Sequence, residues 1–411
     1  MGLRILYAVH GYKPAYRVGG PIVSVAATAE ELVRRGHHVT IFTSNANLDE
    51  ELDVPVDQPI AVEGVEVWYF QRREYLQRLL PFVPYVSKSM GYLYTPRMRA
   101  ALDRVVPGMD LVHTHMPYVY PTAAACRAAR RHHKPLFYHQ RGVFDPERLK
   151  FRGVKKRAYI AAVERPIMRS ATTLIALTEA ERASYRALGV KTPCRIVPNG
   201  VDVARYRIMP RTDPRSCLGM PGNAFVVLFM SRMHPTKGPH KLLEAFALIA
   251  REFPDSYLVL AGPDEYGLEQ TLRARAQAMG LSTRVRFPGM VAGEEKYDLL
   301  GRANLFCLPS DAEGFSMAAL EAMASGTGVL LSPGCHFPEV EAARAGRIVD
   351  PTPGMLAQAL RELVAAPEET ARMGRRGQEL VLRNYSWERV TNQLVEVYEE
   401  GIARAAAQAR P

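Results

Sequence analysis

No stretch of this 411-residue sequence is apolar over the roughly 20 residues that a membrane-spanning helix needs. The first apolar run, residues 3–9, contains Arg4, ends at His10 and is not followed by a small-residue cleavage site, so we expect no signal peptide. The five cysteines show no metal-ligand spacing, which favours free cytosolic thiols over disulfides or zinc. We therefore expect a cytoplasmic protein without a structural metal.

The sequence also lacks an internal repeat and the compact GxGxxG motif of dinucleotide-binding enzymes. The missing motif argues against a nicotinamide-dependent oxidoreductase. Apolar residues make up 47% of the chain and charged residues 23%, which is the balance of a globular protein. The length indicates two domains rather than one.

The net charge of +11 is unevenly distributed along the chain. Residues 1–200 contain 29 Lys and Arg against 17 Asp and Glu, whereas residues 201–411 contain 24 against 25. A basic half suits nucleic acid, an anionic membrane surface or a phosphate-bearing substrate. The acid-free run 148–157 and the aromatic stretch 68–85, which includes Arg72, Arg73 and Arg78, suit a lipid headgroup region or a solvated surface.

Short apolar runs rich in β-branched residues alternate with helical patterns along the whole chain. Such runs are typical of strands that are buried on both faces of a parallel sheet. In the first half they lie at residues 3–9, 39–43, 111–115, 136–139, 173–177 and 195–197. In the second half they lie at residues 225–230, 257–261, 285–287, 305–308, 329–331 and 347–349. The pattern predicts two doubly wound α/β units in series, divided at the Pro-Asn-Gly turn of residues 198–200.

The most informative motif is EGFSMAALEAMASG at residues 313–326. We expect a helix to begin near Ser316, and its unpaired N–H groups would then form a site for a diphosphate. Glu313 and Glu321 stand eight residues apart, so that one carboxylate can accept hydrogen bonds from a sugar ring and the other from ribose hydroxyls. The alternative is a pair of solvated glutamates, but the apolar neighbours of Glu321 argue against it.

Three further motifs follow strands or precede a helix. Arg232 and Lys237 follow the strand at 225–230, where two cations could neutralise a leaving diphosphate without Mg²⁺. Gly19 and Gly20 precede a helix and form either an anion cradle or a flexible turn. His115 ends a strand and could contact a sugar hydroxyl; zinc is disfavoured because no third ligand has motif spacing.

These motifs resemble those of the family-4 retaining glycosyltransferases, and the resemblance covers nearly the whole chain. It implies the GT-B fold, an α/β architecture of two Rossmann-like doubly wound domains that face each other across a cleft. The implied N-terminal domain, residues 1–198, binds the acceptor, and helix 386–411 packs back on it. The implied C-terminal domain, residues 199–385, binds a nucleotide sugar.

The resemblance also implies roles for individual residues. Catalytic roles fall on Glu313, His115, Arg232 and Lys237. The donor site would be formed by the glycine-rich loop, the phosphate-binding motifs and the segment 285–290, whose backbone resembles the one that reads the base. Its residues are Gly19, Gly20, Arg232, Lys237, Met290, Glu313, Gly314, Phe315, Ser316, Met317 and Glu321. The resemblance also places a histidine matching His115 near the donor sugar. Apart from the resemblance, we expect His115, His139 and Arg141 to hold the acceptor. Ser316 departs from the Pro or Gly that is common after EGF, which leaves the donor sugar open.

The expected function is retaining, metal-independent transfer of a sugar from a UDP- or GDP-sugar to a glycan or lipid-linked acceptor, in bacterial surface polysaccharide synthesis. No cofactor and no nucleic-acid partner are expected, and the anionic inner face of the plasma membrane is an expected contact surface. The alternatives are another GT-B enzyme, such as a sugar nucleotide epimerase or a phosphorylase, and a basic nucleic-acid-binding protein. The basic residues form no recognisable nucleic-acid-reading motif, and the glutamate pair would have no use in such a protein.

Overall fold

The computed structural model describes residues 2–16, 20–48, 50–73, 93–145, 157–206, 212–264 and 266–408. The chain divides into two compact units. The first comprises Met1–Gly200 together with Trp387–Pro411, and the second comprises Val201–Ser386. We refer to them as the N-unit and the C-unit.

The N-unit is built on an eight-stranded sheet. The strands of this unit are β1 (Arg4–Ala8), β2 (His38–Ser44), β3 (Ala46–Asn47), β4 (Glu50–Glu51), β5 (Pro59–Val62), β6 (Val65–Phe70), β7 (Leu111–His115), β8 (Leu136–His139), β9 (Thr173–Ala176) and β10 (Cys194–Ile196). The sheet order is β10-β9-β8-β7-β1-β2-β6-β5, with β3 and β4 forming a separate pair. All neighbours in the large sheet are parallel except the hairpin of β5 and β6. From β1 the chain builds the sheet outwards in one direction through β2, and later in the opposite direction from β7, so the switch point lies between β1 and β7. Ligands bind at such switch points in open α/β sheets.

Helices cover this sheet. They are α1 (Gly20–Arg34), α2 (Met98–Val105), α3 (Tyr120–Arg131), α4 (Arg165–Ser170), which continues a π-helical turn at Ile160–Glu164, and α5 (Glu179–Ala187). Helix α1 places Val25, Ala26, Ala29 and Leu32 in one apolar cluster with the central strands. This is the 3.6-residue pattern that the sequence predicts for a helix resting on a sheet.

The C-unit contains a six-stranded, all-parallel sheet. Its strands are β11 (Phe225–Met230), β12 (Ser256–Ala261), β13 (Val285–Gly289), β14 (Leu305–Leu308), β15 (Gly328–Leu331) and β16 (Gly346–Ile348), in the order β13-β12-β11-β14-β15-β16. Its helices are α6 (Val203–Tyr206), α7 (Pro214–Cys217), α8 (Pro239–Ile249), α9 (Leu268–Ala278), α10 (Gly293–Arg302), α11 (Met317–Ala324), α12 (Glu339–Ala342), α13 (Pro353–Ala365) and α14 (Pro367–Asn384). The switch point of this sheet lies between β11 and β14.

The last helix, α15 (Trp387–Gln408), belongs to the N-unit. The Tyr398 ring lies 4.9 Å from the ring of Phe137 on β8 and is fully buried. One turn further on, a Cβ added at Gly401 would lie 2.4 Å from Cζ of Phe137, so the helix approaches the sheet at a distance that only glycine allows. Burying a side chain of this size contributes about 2 kcal/mol, which fixes α15 on the sheet.

The predicted doubly wound architecture is confirmed, and each predicted strand is present within two residues of its expected ends. The hairpin of β5 and β6 was not predicted. For the stretch 68–85 the sequence leaves a lipid headgroup region and a solvated surface open; the buried Arg72 fits neither, whereas Trp68 is half-buried. Trp68 lies on β6 with its ring 5.5 Å from that of Phe42, and the buried Arg72 pairs with Glu51.

Some predictions fall outside the described residues. These are Gly19, Arg78 with the rest of residues 74–85, and residues 148–156 of the basic run. Among the residues that are described, no helix combines the length and the apolar character needed to cross a bilayer.

Candidate active site

The switch point of the C-unit brings two loops together. Strand β11 ends at Met230, and the following loop closes with a 3₁₀ turn at Pro235–Lys237 before α8. Gly238 joins the turn to the helix with a φ of 75°, and a Cβ there would lie 2.3 Å from the carbonyl oxygen of Pro309. Only glycine satisfies both conditions, so the loop after β11 packs directly on the loop after β14.

Hydrogen bonds join these loops to a third loop, which follows β15. The amide of Asp311 donates to the carbonyl of Thr236 at 2.8 Å, and the Ser310 hydroxyl donates to the same carbonyl at 3.1 Å. The amide of Glu313 donates to the carbonyl of Gly334 at 2.8 Å. The backbone that carries Glu313 is therefore fixed from both sides before any ligand binds.

Lys237 and Glu313 meet within this framework. The Lys237 Nζ lies 2.6 Å from the Glu313 Oε1, and the two side chains are only 9% and 12% exposed. An ion pair this well shielded needs both partners, since an isolated buried charge would be strongly destabilising. Sequence reasoning assigned these residues to different parts of a donor, whereas in this structure they bind each other.

Helix α11 begins where the sequence predicts. Ser316 is the N-cap, and its side chain accepts from the amide of Ala319 at 3.2 Å. The cap occupies one of the four amides that the first turn of a helix leaves unpaired, so Met317 and Ala318 keep amides suited to an anion. Phe315 packs its ring 5.3 Å from that of Phe337, so it would contact a ligand through its backbone rather than its side chain.

Glu321 lies on α11 and is held by two polar partners. Lys296 Nζ, on α10, is 2.7 Å from Glu321 Oε1, and the Glu321 side chain is 15% exposed. The pKa of the Tyr206 hydroxyl is raised by its burial and by its hydrogen bond to Glu321. The alternative of a freely solvated glutamate is therefore excluded. No sequence pattern indicates Lys296, because its partner is 25 residues away on another helix.

Arg232 and Met290 lie at the margins of this site. Arg232 belongs to the same loop as Lys237, and its side chain is exposed, as a group that meets incoming phosphate would be. Met290 directly follows β13, two strands away from β11, and is 71% exposed. An exposed thioether of this size is available to pack on a planar ligand.

A second cluster of predicted residues lies in the N-unit, at the carboxyl ends of β7 and β8. His113, His115 and His139 are fully buried, and one ring nitrogen from each lies within 4.8 Å of the others. Burial above all, together with the charge of Arg141, holds the pKa of all three imidazoles well below the usual value. His139 is the third histidine that no sequence spacing reveals, because only strand pairing places it beside His115.

Arg141 completes the N-unit cluster. Its Nε donates to Nδ1 of His115 at 3.1 Å, and its Nη1 donates to the Ser24 hydroxyl at 3.0 Å and to Oδ1 of Asn199 at 3.2 Å. The structure thus brings together the three residues that were assigned to the acceptor. Gly20, which was assigned to the donor, begins α1, four residues before Ser24 on the same helix.

Two family profiles match almost the whole chain. Residues 19–200 match the glycosyl transferase 4-like domain, and residues 211–380 match glycosyl transferases group 1. The two matches together identify the chain as one that combines these two glycosyltransferase domains. It is therefore a glycosyltransferase, and the family resemblance seen in the sequence is confirmed.

Relatives and solved structures extend the comparison. D-inositol 3-phosphate glycosyltransferase of Saccharomonospora viridis is 29% identical over 402 residues, covering 94% of this chain and 90% of the relative. The Gordonia bronchialis enzyme of the same name is 29% identical over 406 residues, covering 95% and 85%.

Crystal structures of Anabaena HepE in complex with UDP and of sucrose-phosphate synthase from Thermosynechococcus elongatus are similar to this chain. Their TM-scores are 0.76 and 0.75 and their identities 20% and 23%, and both matches cover 97% of this chain. They cover 100% and 99% of the respective solved chains. These likenesses confirm the GT-B fold of the glycosyltransferase.

Proposed function

We propose that this glycosyltransferase moves a sugar from a nucleoside diphosphate sugar to a glycan or lipid-linked acceptor, with retention of the anomeric configuration and without a metal ion. The observation that carries the proposal is the Lys237–Glu313 pair beside the start of α11. It places a shielded ammonium, a carboxylate and unpaired helix amides at one sheet switch point. A diphosphate linked to a sugar has the chemistry that such a site binds.

In the proposed donor complex, the diphosphate lies against the first turn of α11. Lys237 and Arg232 neutralise its charge, and Glu313 turns from Lys237 to the hydroxyls of the donor sugar. Glu321 accepts hydrogen bonds from the ribose hydroxyls through the lone pairs that Lys296 and Tyr206 do not use. UDP and GDP are the nucleotides that we favour, and UDP is the nucleotide in the complex of HepE.

In the proposed reaction, the bond between the anomeric carbon and the diphosphate oxygen breaks, and a bond to the acceptor oxygen forms on the same face. The proton of the acceptor hydroxyl passes to the departing phosphate oxygen, so no enzymatic nucleophile is needed. Arg232, Lys237 and the helix amides stabilise the charge that develops on the leaving group. Preorganised electrostatic stabilisation of this kind usually contributes more to catalysis than any other single effect.

The acceptor is assigned to the N-unit, where His115, His139 and Arg141 lie together at the carboxyl ends of the strands. The positive charge of residues 1–200 suits an acceptor that carries phosphate, such as a lipid-linked pyrophosphate at an anionic membrane face. Synthesis of a bacterial surface polysaccharide is the role we propose. The name of the relatives supports inositol phosphate as a second acceptor.

The donor is tested by thermal shift with UDP, GDP, ADP and their sugars, since a ligand at 100 times its Kd adds roughly 2.7 kcal/mol of stability. Transfer is then assayed with the donor that binds. We expect Arg232→Ala and Lys237→Ala to lower turnover by about 10²-fold. Lys241→Ala is the matched control, because Lys241 pairs with Asp311 in the neighbouring loop.

Near-normal transfer by both variants would contradict the assignment of Arg232 and Lys237 to the donor site. Incubation of the donor without an acceptor separates the alternatives, because an epimerase would convert the sugar while leaving the nucleotide attached. A phosphorylase would require inorganic phosphate. Anomeric analysis of the product decides between retention and inversion.

A further inference from the structure

Arg141 is held by neutral groups rather than by an acid. Among the described residues, no carboxylate forms an ion pair with its guanidinium, which bonds instead to His115, Ser24 and Asn199. Its backbone has a φ of 54°, an uncommon conformation for a residue with a side chain. Burial lowers the pKa of Arg141 to about 10, so the group stays charged at neutral pH. A desolvated cation without an acid is costly to keep, which indicates a function.

The hydrogen bond from Arg141 fixes the protonation of His115. Arginine has only donors, so the Nε–H of Arg141 requires Nδ1 of His115 to be an acceptor. A neutral imidazole that accepts at Nδ1 carries its proton on Nε2. The burial that lowers the pKa of His115 disfavours the doubly protonated ring. His115 is therefore held as a single neutral tautomer.

Within the part of the chain that the structure describes, the Nε2 atom of His115 has no hydrogen-bond partner. The atom is buried, on a side chain that is 1% exposed. The ring lines a cavity of about 20 Å³ together with Arg141 and Asn199. A space of this size holds one water-sized atom. An unpaired buried N–H next to such a space is costly unless an acceptor oxygen enters it.

We infer that Arg141 is a positioning residue that holds His115 as the Nε2–H tautomer, so that His115 donates a hydrogen bond to a substrate oxygen. The inference rests on the proposed function for the identity of that oxygen, which we take to be a sugar hydroxyl. It assigns Arg141 an indirect role, in contrast to the acceptor contact that the sequence analysis expects. The tautomer itself is independent of the reaction.

The same arrangement disfavours a metal ion at the three histidines. A metal would need the lone pair of the His115 Nε2, which carries the proton in this tautomer. It would also place two positive charges beside the guanidinium of Arg141. One ring nitrogen of His113 already has a partner, because its Nδ1 forms a hydrogen bond of 2.6 Å with the Tyr398 hydroxyl.

The tautomer is measured by long-range ¹H–¹⁵N correlation on protein labelled with ¹⁵N-histidine. The His115 signals are assigned as those lost in His115→Gln. We expect a protonated Nε2 and an unprotonated Nδ1 at pH 7. A protonated Nδ1, or an imidazolium, would overturn the inference. Addition of Zn²⁺ should leave these signals unchanged, and a metal-induced shift at Nε2 would also overturn it.

Arg141→Met should release the ring into a mixture of both tautomers. Arg141→Lys should preserve more of the Nε2–H form, because an ammonium can still donate to Nδ1. Arg72→Met is the matched control, since it removes another buried arginine of the N-unit that lies in a different hydrogen-bond network. A tautomer unchanged in Arg141→Met, or changed equally in Arg72→Met, would contradict the positioning role.

Kinetic measurements test whether the Nε2–H group of His115 donates a hydrogen bond to the substrate. The amide nitrogen of glutamine takes the place of Nε2 and that of asparagine the place of Nδ1, so His115→Gln should retain more activity than His115→Asn. Arg141→Met should lower kcat roughly 10-fold to 100-fold. In a His115→Gln background, Arg141→Met should lower kcat only slightly, because glutamine has no tautomers for Arg141 to select. Additive losses would overturn the inference. Absence of any transferase activity in the wild type would refute the proposed function and leave the tautomer result standing.

Discussion

Lys237 and Glu313 neutralise each other across 2.6 Å, at the place where sequence reasoning puts the diphosphate and the sugar of one donor. Neither residue can bind a ligand fully while the pair is closed. If both contact the donor, the phosphate must replace Glu313 as the partner of Lys237, and the released carboxylate must find the sugar hydroxyls. Donor binding is thus coupled to the opening of an ion pair.

This coupling predicts opposite effects on two ligands in Glu313→Gln. Lys237 is then free for phosphate, so we expect UDP or GDP alone to bind roughly threefold to tenfold more tightly, which corresponds to about 1 kcal/mol. The nucleotide sugar should gain less, and transfer should fall, because the carboxylate contact to the sugar is lost. Isothermal titration calorimetry measures both affinities. Asp311→Asn, which releases Lys241 in the adjacent loop, is the control. Weaker nucleotide binding in Glu313→Gln would contradict the coupling.

The position of Glu321 beside Lys296 leads us to expect that the site prefers nucleotides with an intact ribose. Loss of hydrogen bonds to a charged group costs about 1.5–3 kcal/mol. We therefore expect Glu321→Gln to weaken binding of the preferred nucleoside diphosphate by about tenfold or more. The 2′,3′-dideoxy analogue should bind the wild type and the variant equally, because it has no hydroxyls for the carboxylate to accept from. Equal loss for both nucleotides would show that Glu321 acts on some other part of the ligand. Lys296→Met should give a smaller loss than Glu321→Gln, because it removes the support rather than the acceptor.

Local patterns in the sequence predicted the framework of this site. Apolar β-branched runs located the strands, because strands covered on both faces leave no room for polar alternation. Ser316 was predicted as a helix cap from its side chain alone, and it caps α11 in the structure. The hairpin of β5 and β6 was missed, because β6 alternates buried and half-buried residues instead of forming a continuous apolar run, and β5 is a short edge strand.

What the sequence could not show depends on contacts between distant segments. His139 joins His115 only through the pairing of two strands, and Lys296 reaches Glu321 only through the packing of two helices. The pairing of Lys237 with Glu313 spans 76 residues. Such contacts are products of topology rather than of motif spacing, so most of these residues were predicted as members of a site, but the bonds between them were not.

Removal of divalent metal tests the charge balance that is proposed for the leaving group. Two cationic side chains and the α11 amides would replace Mg²⁺, so turnover should be unchanged after dialysis against EDTA. Metal analysis of the dialysed protein should accompany the assay, so that any residual divalent ion is detected. Activity that is lost in EDTA and restored by Mg²⁺ or Mn²⁺ would establish a metal-dependent reaction. Arg232→Ala provides a second test, since added Mg²⁺ should restore part of its activity if charge is what the variant lacks.

Glu164 predicts how the stability of the N-unit depends on pH. Its side chain is 2% exposed and accepts from the Tyr118 amide at 2.8 Å and the Tyr138 hydroxyl at 2.7 Å. Burial raises the pKa of Glu164 to about 7 from its ordinary value of 4.5, although both hydrogen bonds oppose the rise. The folded state therefore binds a proton more tightly than the unfolded state. This contribution to the free energy of unfolding is present below pH 4.5 and is lost as the pH rises through 7.

Each pKa unit corresponds to about 1.4 kcal/mol, so the contribution of Glu164 to stability should fall by about 3 kcal/mol between pH 4.5 and pH 8. Glu164→Gln keeps the shape but does not titrate, and its amide oxygen can still accept from the Tyr118 amide while its NH2 group donates to the Tyr138 hydroxyl. We expect urea unfolding of the variant to depend less on pH than that of the wild type, with the larger relative gain at pH 8. Tyr138→Phe is the matched comparison, because it removes a donor that favours the charged form and should therefore steepen the pH dependence. Parallel pH profiles for the wild type and Glu164→Gln would show that this carboxyl group is already ionised in the folded protein.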